Sequence, residues 1–211
     1  MDKRLGNQIF RELEIHVPNP RSELIAKNDY TFCVAVLLSA QVTDKSVNKA
    51  TLPLFQFADS PVAMVKLGVD KLKEYIKSIG LYNSKATNII ALSEILISQF
   101  DSKIPNNRND LEKLPGIGRK SANVILNTLF GESVIAVDTH VLRVSKRLGF
   151  TKSNNRLQVE SDLLKLIPKQ FHKNASNLLV LHGRYTCTAK SPLCSACPLH
   201  NLCFTNNRTM I

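Results

Sequence analysis

The sequence predicts an all-α fold, and three observations carry that prediction. Apolar residues recur at helical spacing along most of the chain, as at Leu5, Ile9 and Leu13. Asn83 to Phe100 runs without glycine or proline, well beyond the usual length of a strand. Only Ser133 to Val141, "SVIAVDTHV", has a strand-like composition, and no second stretch offers it a pairing partner.

In chain order, Asp2 can cap a first helix that carries Leu5, Ile9 and Leu13 on one face, and "NPRSE" (19–23) breaks it. Residues 30–40 are almost wholly apolar and read as a buried helix. Thr43 or Asp44 caps a helix running towards Pro53–Phe57. Ser60-Pro61 pairs a cap with proline at the first helical position. Gly68 and Gly80 read as helix ends, Asn83–Phe100 as one helix and "IPNNRND" (104–110) as a loop. Further helices fit Gly118–Phe130, Thr139–Leu148, Leu157–Ile167 and Lys173–Tyr185. Ser133–Val141 reads as an extended connection ending at Asp138, an N-cap for the next helix.

The chain has 211 residues, 44% hydrophobic and 21% charged, a globular composition with room for one or two domains. Lys plus Arg number 28 against 17 Asp plus Glu, giving a net charge of +11 and a pI near 9.6. Such a balance points to a polyanionic partner, nucleic acid first and an anionic membrane surface second. The longest apolar run, Phe32–Leu38, is far short of the ~20 residues of a membrane span. The polar N-terminus has no signal-peptide core, so an intracellular, cytoplasmic protein is expected. Cys33, inside the apolar run, reads as a small core residue.

"LPGIGRKSANVIL" (114–126) places Gly116 and Gly118 in a short turn before a helix. Glycines let another backbone approach closely. The helix start adds unpaired amides and the positive dipole end. Together these suit a phosphate, held without reading a base. The glycine spacing is not that of a P-loop, and no strand precedes it as a dinucleotide fingerprint requires. A helix-hairpin-helix element fits, and a plain tight turn between helices fits the glycines alone. Lys120 is the sharper residue. A cation is disfavoured in the first turn of a helix, and Arg119 beside it acts in the same direction. A neutral lysine is a nucleophile.

Cys187, Cys194, Cys197 and Cys203 follow C-x6-C-x2-C-x5-C. Four thiolates this close can ligate zinc or a [4Fe–4S] cluster. Structural zinc usually takes two short Cys pairs, whereas one short pair with loops of six and five suits something larger. From Leu163 onward there are six Lys/Arg, the last Arg208, and no Asp or Glu, so thiolates would offset part of that charge.

Taken together, "LLSAQVTDKSVN", "GLYNSKATNI", "LPGIGRKSANVILN", "VDTHVLRVSKRLG" and the cysteine tail occur in the order of one family. The chain resembles the endonuclease III family, bifunctional DNA glycosylases and abasic-site lyases of the helix-hairpin-helix/Gly-Pro-Asp superfamily. The resemblance implies two helical domains flanking a DNA-binding cleft. One is a six-helix domain over 22–132, with the hairpin at about 108–130. The other is a cluster domain of 1–21 plus 133–211. It implies Lys120 as nucleophile, Asp138 as catalytic carboxylate, and a [4Fe–4S] cluster on Cys187, Cys194, Cys197 and Cys203. Gln41 and Leu81 would fill the gap left by an extruded nucleotide. Pro115, Gly116, Gly118, Arg119 and Lys190 would contact DNA. On residues alone, Asp138 reads as a cap, Gln41 as a polar helix terminus and Leu81 as a hydrophobic staple after Gly80.

The implied partner is double-stranded DNA with a damaged base, such as an oxidised pyrimidine, or an abasic site, bound by a monomer at the bacterial nucleoid. Two departures stand out: "TAKSPL" between Cys187 and Cys194 holds only Lys190, and Ser121 replaces a common threonine. A mismatch adenine glycosylase would share the hairpin, aspartate and cluster but is expected to lack the lysine and to carry a further C-terminal domain. A non-enzymatic cluster module or a zinc-stabilised binder would leave Lys120 with Asp138 as coincidence.

Overall fold

The computed structural model of the chain describes residues 1–205, and Arg208 of the basic tail lies outside them. The described residues contain eleven α-helices, three short 3-10 turns and no strand. None of these helices is long and apolar enough to cross a membrane. The chain divides into two compact units: Glu23–Phe130, and Met1–Ser22 together with the chain from Gly131 onward.

The unit Glu23–Phe130 is built around α2 (Asp29–Leu38). Asn28 and Thr31 form a capping box that satisfies its first amides, and Asp29 complements its dipole. Every residue from Tyr30 to Leu38 is buried, so α2 has no solvent face along that length. Cys33 is completely buried there, and burial pushes its thiol up to about 12, the behaviour of the core residue the sequence predicts. Three helices pack directly on α2: α3 (Asp44–Phe57), α6 (Tyr82–Gln99) and α8 (Arg119–Phe130). Thr43 caps α3, which continues through Pro53 on its exposed side.

Between α3 and α6 lie α4 (Pro61–Leu67) and α5 (Val69–Ile76), joined at Gly68, whose φ of +81° stops one helix and starts the next. With α7 (Arg108–Lys113) this unit holds seven helices, one more than the expected six. Two expectations change here. Gly80 does not end a helix: α5 stops at Ile76, and Leu81 forms the N-cap of α6. The predicted loop 104–110 is shorter, because Asn107 accepts the Asp110 amide and starts α7 at Arg108.

The other unit packs α1 (Lys3–His16) with α9 (Thr139–Leu148), α10 (Arg156–Leu166) and α11 (His172–Tyr185). Asp2 caps α1 through the Leu5 amide. Ile9, Phe10 and Leu13 enter one core with Val141, Val144, Leu163, Leu178 and Leu179. The Phe10 ring lies 5.9 Å from that of Phe150 and 5.7 Å from that of Phe171. Thus the N-terminal helix completes a core made by residues more than a hundred positions away. Gly6 permits this approach: a Cβ there would stand 2.5 Å from the Leu166 carbonyl oxygen. Gly6→Ala must therefore push α1 off α10, with an expected loss of about 1–3 kcal/mol. Thermal denaturation checks this, and an unchanged midpoint would contradict the packing.

Candidate functional site

The hairpin starts from two short sequence devices. Arg108 on α7 donates from Nε to Asn123 Oδ1 on α8 at 3.0 Å, clipping the two helices together. In the turn, Ile117 is buried and its amide bonds the Leu114 carbonyl at 3.0 Å. The two glycines then do different work. Gly116 has φ +83°, and a Cβ on it would meet Leu37 Cδ1 of α2 at 2.8 Å and Asn88 Nδ2 of α6 at 3.1 Å. Its missing side chain lets the turn seat on both helices. Gly118 has nothing within 4 Å of where a Cβ would be. It leaves the backbone open in front of the α8 N-terminus, where an anion is favoured. Pro115 is half-buried beside Gly116, and Arg119 is exposed at the head of α8. Lys120 is the second residue of α8 and half-buried.

Gln41 and Leu81 are two of only four non-glycine residues with positive φ among the described residues, at 59° and 61°. Such a conformation is disfavoured for L-residues and is informative where it is held in place. Gln41 lies in the turn after α2, beyond the helix terminus, and is exposed. Leu81 is 66% exposed. A staple would be covered, so the bland reading of Leu81 fails. Two strained, projecting side chains on one unit suit insertion into a partner.

Asp138, in the other unit, caps α9: its Oδ1 accepts the Val141 amide at 2.7 Å. The residue is half-buried and its Oδ2 has no partner among the described residues. The capping role thus uses one oxygen and leaves the other available for chemistry. His140 Nδ1 lies 3.3 Å from Arg143 Nη2.

The four tail cysteines line a cavity of about 310 Å³ with Arg147 and His182. No group of three or more His, Cys, Asp or Glu side chains among the described residues converges tightly enough for a single metal ion. Four thiols lining a space of this size fit an iron–sulfur cluster. Burial raises the Cys197 thiol above its ordinary value. The loop carrying Lys190 is closed by Thr188 Oγ1 donating to the Ser191 carbonyl at 2.7 Å, and Lys190 itself is exposed.

Sequence reading missed the residues that hold this loop. Arg147 donates to Cys187 Sγ at 3.3 Å, to the Thr188 carbonyl at 2.7 Å and to the Ala189 carbonyl at 3.0 Å. Arg143 donates to the Cys187 carbonyl at 3.2 Å and to the Gly183 carbonyl at 2.8 Å. The available signal was the spacing of four between them in "VLRVSKRLG", which puts both on one face of α9. Lys85 was also missed. It lies inside the quoted "GLYNSKATNI", is only 5% exposed, and bonds the carbonyls of Leu38 and Ala40.

Comparison with known proteins agrees with this geometry. Residues 34–169 match the HhH-GPD superfamily of base excision DNA repair proteins. Residues 187–203 match the iron-sulfur binding domain of endonuclease III. Endonuclease III of Rickettsia felis is 51% identical over 211 residues, covering 100% of this chain and 99% of its own. A non-covalent endonuclease III–DNA complex superposes with a TM-score of 0.93 at 42% identity, covering 100% of this chain and 99% of that one. A trapped endonuclease III–DNA covalent intermediate, an estranged-adenine complex, gives 0.91 at 41% identity, with both chains fully covered. Arg147→Met leaves all four cysteines in place but removes the donors to their loop. Cluster loss to a chelator, followed by visible absorption, is expected to be about tenfold faster. An unchanged rate would contradict the role of Arg147.

Proposed function

The chain belongs to the HhH-GPD superfamily of base excision DNA repair proteins and, within it, to the endonuclease III family, and from that premise we propose how its own residues perform the work. The family activity is that of a DNA glycosylase with abasic-site lyase activity, and the cofactor is a [4Fe–4S] cluster. The substrate proposed is an oxidised or ring-saturated pyrimidine, such as thymine glycol, or an abasic site in duplex DNA. The chain would act as a monomer on cytoplasmic DNA.

The Gly116–Gly118 turn, Pro115, Arg119 and the α8 amides bind the phosphate backbone, and Lys190 adds charge from the cysteine loop. Gln41 and Leu81 occupy the space vacated when the damaged nucleotide leaves the stack. Lys120 Nζ attacks the sugar C1′, forming a C–N bond while the glycosidic C–N bond breaks and the base departs with a proton. The sugar ring then opens as the bond from C1′ to the ring oxygen breaks: the ring oxygen takes a proton that Asp138 had accepted from the lysine, and the lysine nitrogen keeps its last hydrogen in the iminium of the Schiff base. That iminium acidifies C2′. Loss of a C2′ proton breaks the bond between C3′ and its phosphate oxygen, and water later releases the lysine. Asp138, through the oxygen not used in capping, accepts a proton and stabilises positive charge at the sugar. When bound, the cluster supplies an anchor for four points of the tail.

The single observation that carries this reading is Lys120, half-buried one residue inside the helix that follows the hairpin turn. A mismatch adenine glycosylase or a non-enzymatic cluster module gives a lysine there no task. Borohydride added to the protein on an abasic duplex is expected to yield a covalent complex with wild type and none with Lys120→Ala. A complex that survives Lys120→Ala would overturn the assignment. Asparagine caps a helix as well as aspartate does, so Asp138→Asn is expected to keep the thermal midpoint while turnover falls about a hundredfold. Turnover near wild type would restrict Asp138 to capping.

A further inference from the structure

We propose that Lys85 is a positioning residue that holds Gln41 and Leu81 together as one wedge. The inference rests on the reading of those two side chains as the groups that fill the vacated stack. Lys85 itself is buried, with 5% of its surface exposed.

Three bonds carry the inference. Lys85 Nζ donates to the Leu38 carbonyl at 3.0 Å and to the Ala40 carbonyl at 2.8 Å. Its backbone amide donates to the Leu81 carbonyl at 3.0 Å. The Ala40 carbonyl and the Gln41 amide belong to one planar peptide group. Fixing that oxygen fixes the plane from which Gln41 turns into its left-handed conformation. The Leu81 carbonyl likewise sets the plane that follows Leu81, and Ser84 Oγ supports it from 3.0 Å. The ammonium therefore grips the peptide plane before Gln41, and the first helical bond of α6 ties the same residue to the plane after Leu81, 40 positions further along the sequence.

The chemistry at the ammonium is specific. Leu38 and Ala40 lie at the C-terminal end of α2, where carbonyls lack helical partners and the dipole is negative. A cation with several donors satisfies two carbonyls at once, which no apolar side chain of that length can do. Burial lowers the Lys85 ammonium from its ordinary value, so the site tolerates the buried cation only because these carbonyls receive it. Asn88, one turn further along α6, meets the Gly116 turn. The face of α6 that orders the wedge also abuts the hairpin.

A role confined to capping α2 would affect folding alone, whereas a positioning role also affects recognition of the gap. The test uses the full cluster-loaded protein and a duplex holding a tetrahydrofuran abasic analogue opposite 2-aminopurine. Affinity for this duplex is divided by affinity for its undamaged counterpart, and 2-aminopurine fluorescence reports estrangement of the opposite base. Gln41→Ala and Leu81→Ala test the wedge reading, and both are expected to lower the ratio. Lys85→Met is expected to lower it about tenfold and to abolish the fluorescence rise, with undamaged-duplex affinity unchanged. Lys85→Arg, which restores charge and donors, is expected to recover part of both. A folded Lys85→Met with wild-type ratio and fluorescence would overturn the inference and leave the wedge reading intact. Unchanged ratios in Gln41→Ala and Leu81→Ala would overturn the wedge reading and the inference with it. Should Lys85→Met not fold, Lys85→Gln, whose amide nitrogen sits one atom nearer the backbone and is expected not to span both carbonyls, decides by the same readouts: loss supports the inference and wild-type behaviour overturns it.

Discussion

The C-terminal end of α2 is the fixed point on which the parts of its unit proposed to bind nucleic acid depend. Every residue from Tyr30 to Leu38 is buried, and each large apolar side chain removed from water contributes about 1.5–3 kcal/mol. That burial makes α2 the least movable helix of the unit. Its last turn then faces a constraint that apolar packing cannot meet, because terminal carbonyls must find donors. Lys85 supplies them. The Gly116 turn rests on Leu37 and Asn88. Hairpin, Gln41 and Leu81 are thereby referred to one buried anchor instead of three independent loops.

In the other unit α9 has the equivalent position. Asp138 closes its N-terminus with one carboxylate oxygen. Further along, the helix carries Arg143 and Arg147, whose guanidinium groups hold the cysteine loop by its carbonyls and by Cys187 Sγ. Thr205 Oγ1 donates back to the Arg147 carbonyl at 2.8 Å. One helix thus bears the proposed catalytic carboxylate at its start and the support of the cofactor loop along its length. The arginines also place positive charge beside thiolates, the electrostatic condition a multiply anionic ligand set requires.

Most of the fold was legible because local signals agreed with tertiary demands. Asp2, Thr43, Ser60 and Asp138 each cap the helix they were expected to start. The unbroken apolar run became the buried helix, and the four spaced cysteines came together to line one cavity. Gly80 misled because a glycine at a turn looks the same whether or not it ends a helix. The left-handed residue there is Leu81, whose side chain gives no warning of positive φ. Arg143, Arg147 and Lys85 were missed for a different reason, and the spacing of four put the first two on one face without showing what that face meets. Each acts on backbone carbonyls far away in sequence, and a carbonyl leaves no mark in the residue types that carry it. The surface reading of lysine is right so often that a buried one is visible only once the packing is known.

Amide hydrogen exchange, comparing free protein with an abasic-duplex complex, tests most directly whether the hairpin and wedge turns act as one block seated on α2. The account predicts that segments 39–42, 80–84 and 116–121 gain protection together on binding. Protection of 116–121 alone, with 39–42 and 80–84 exchanging as in the free protein, would contradict it.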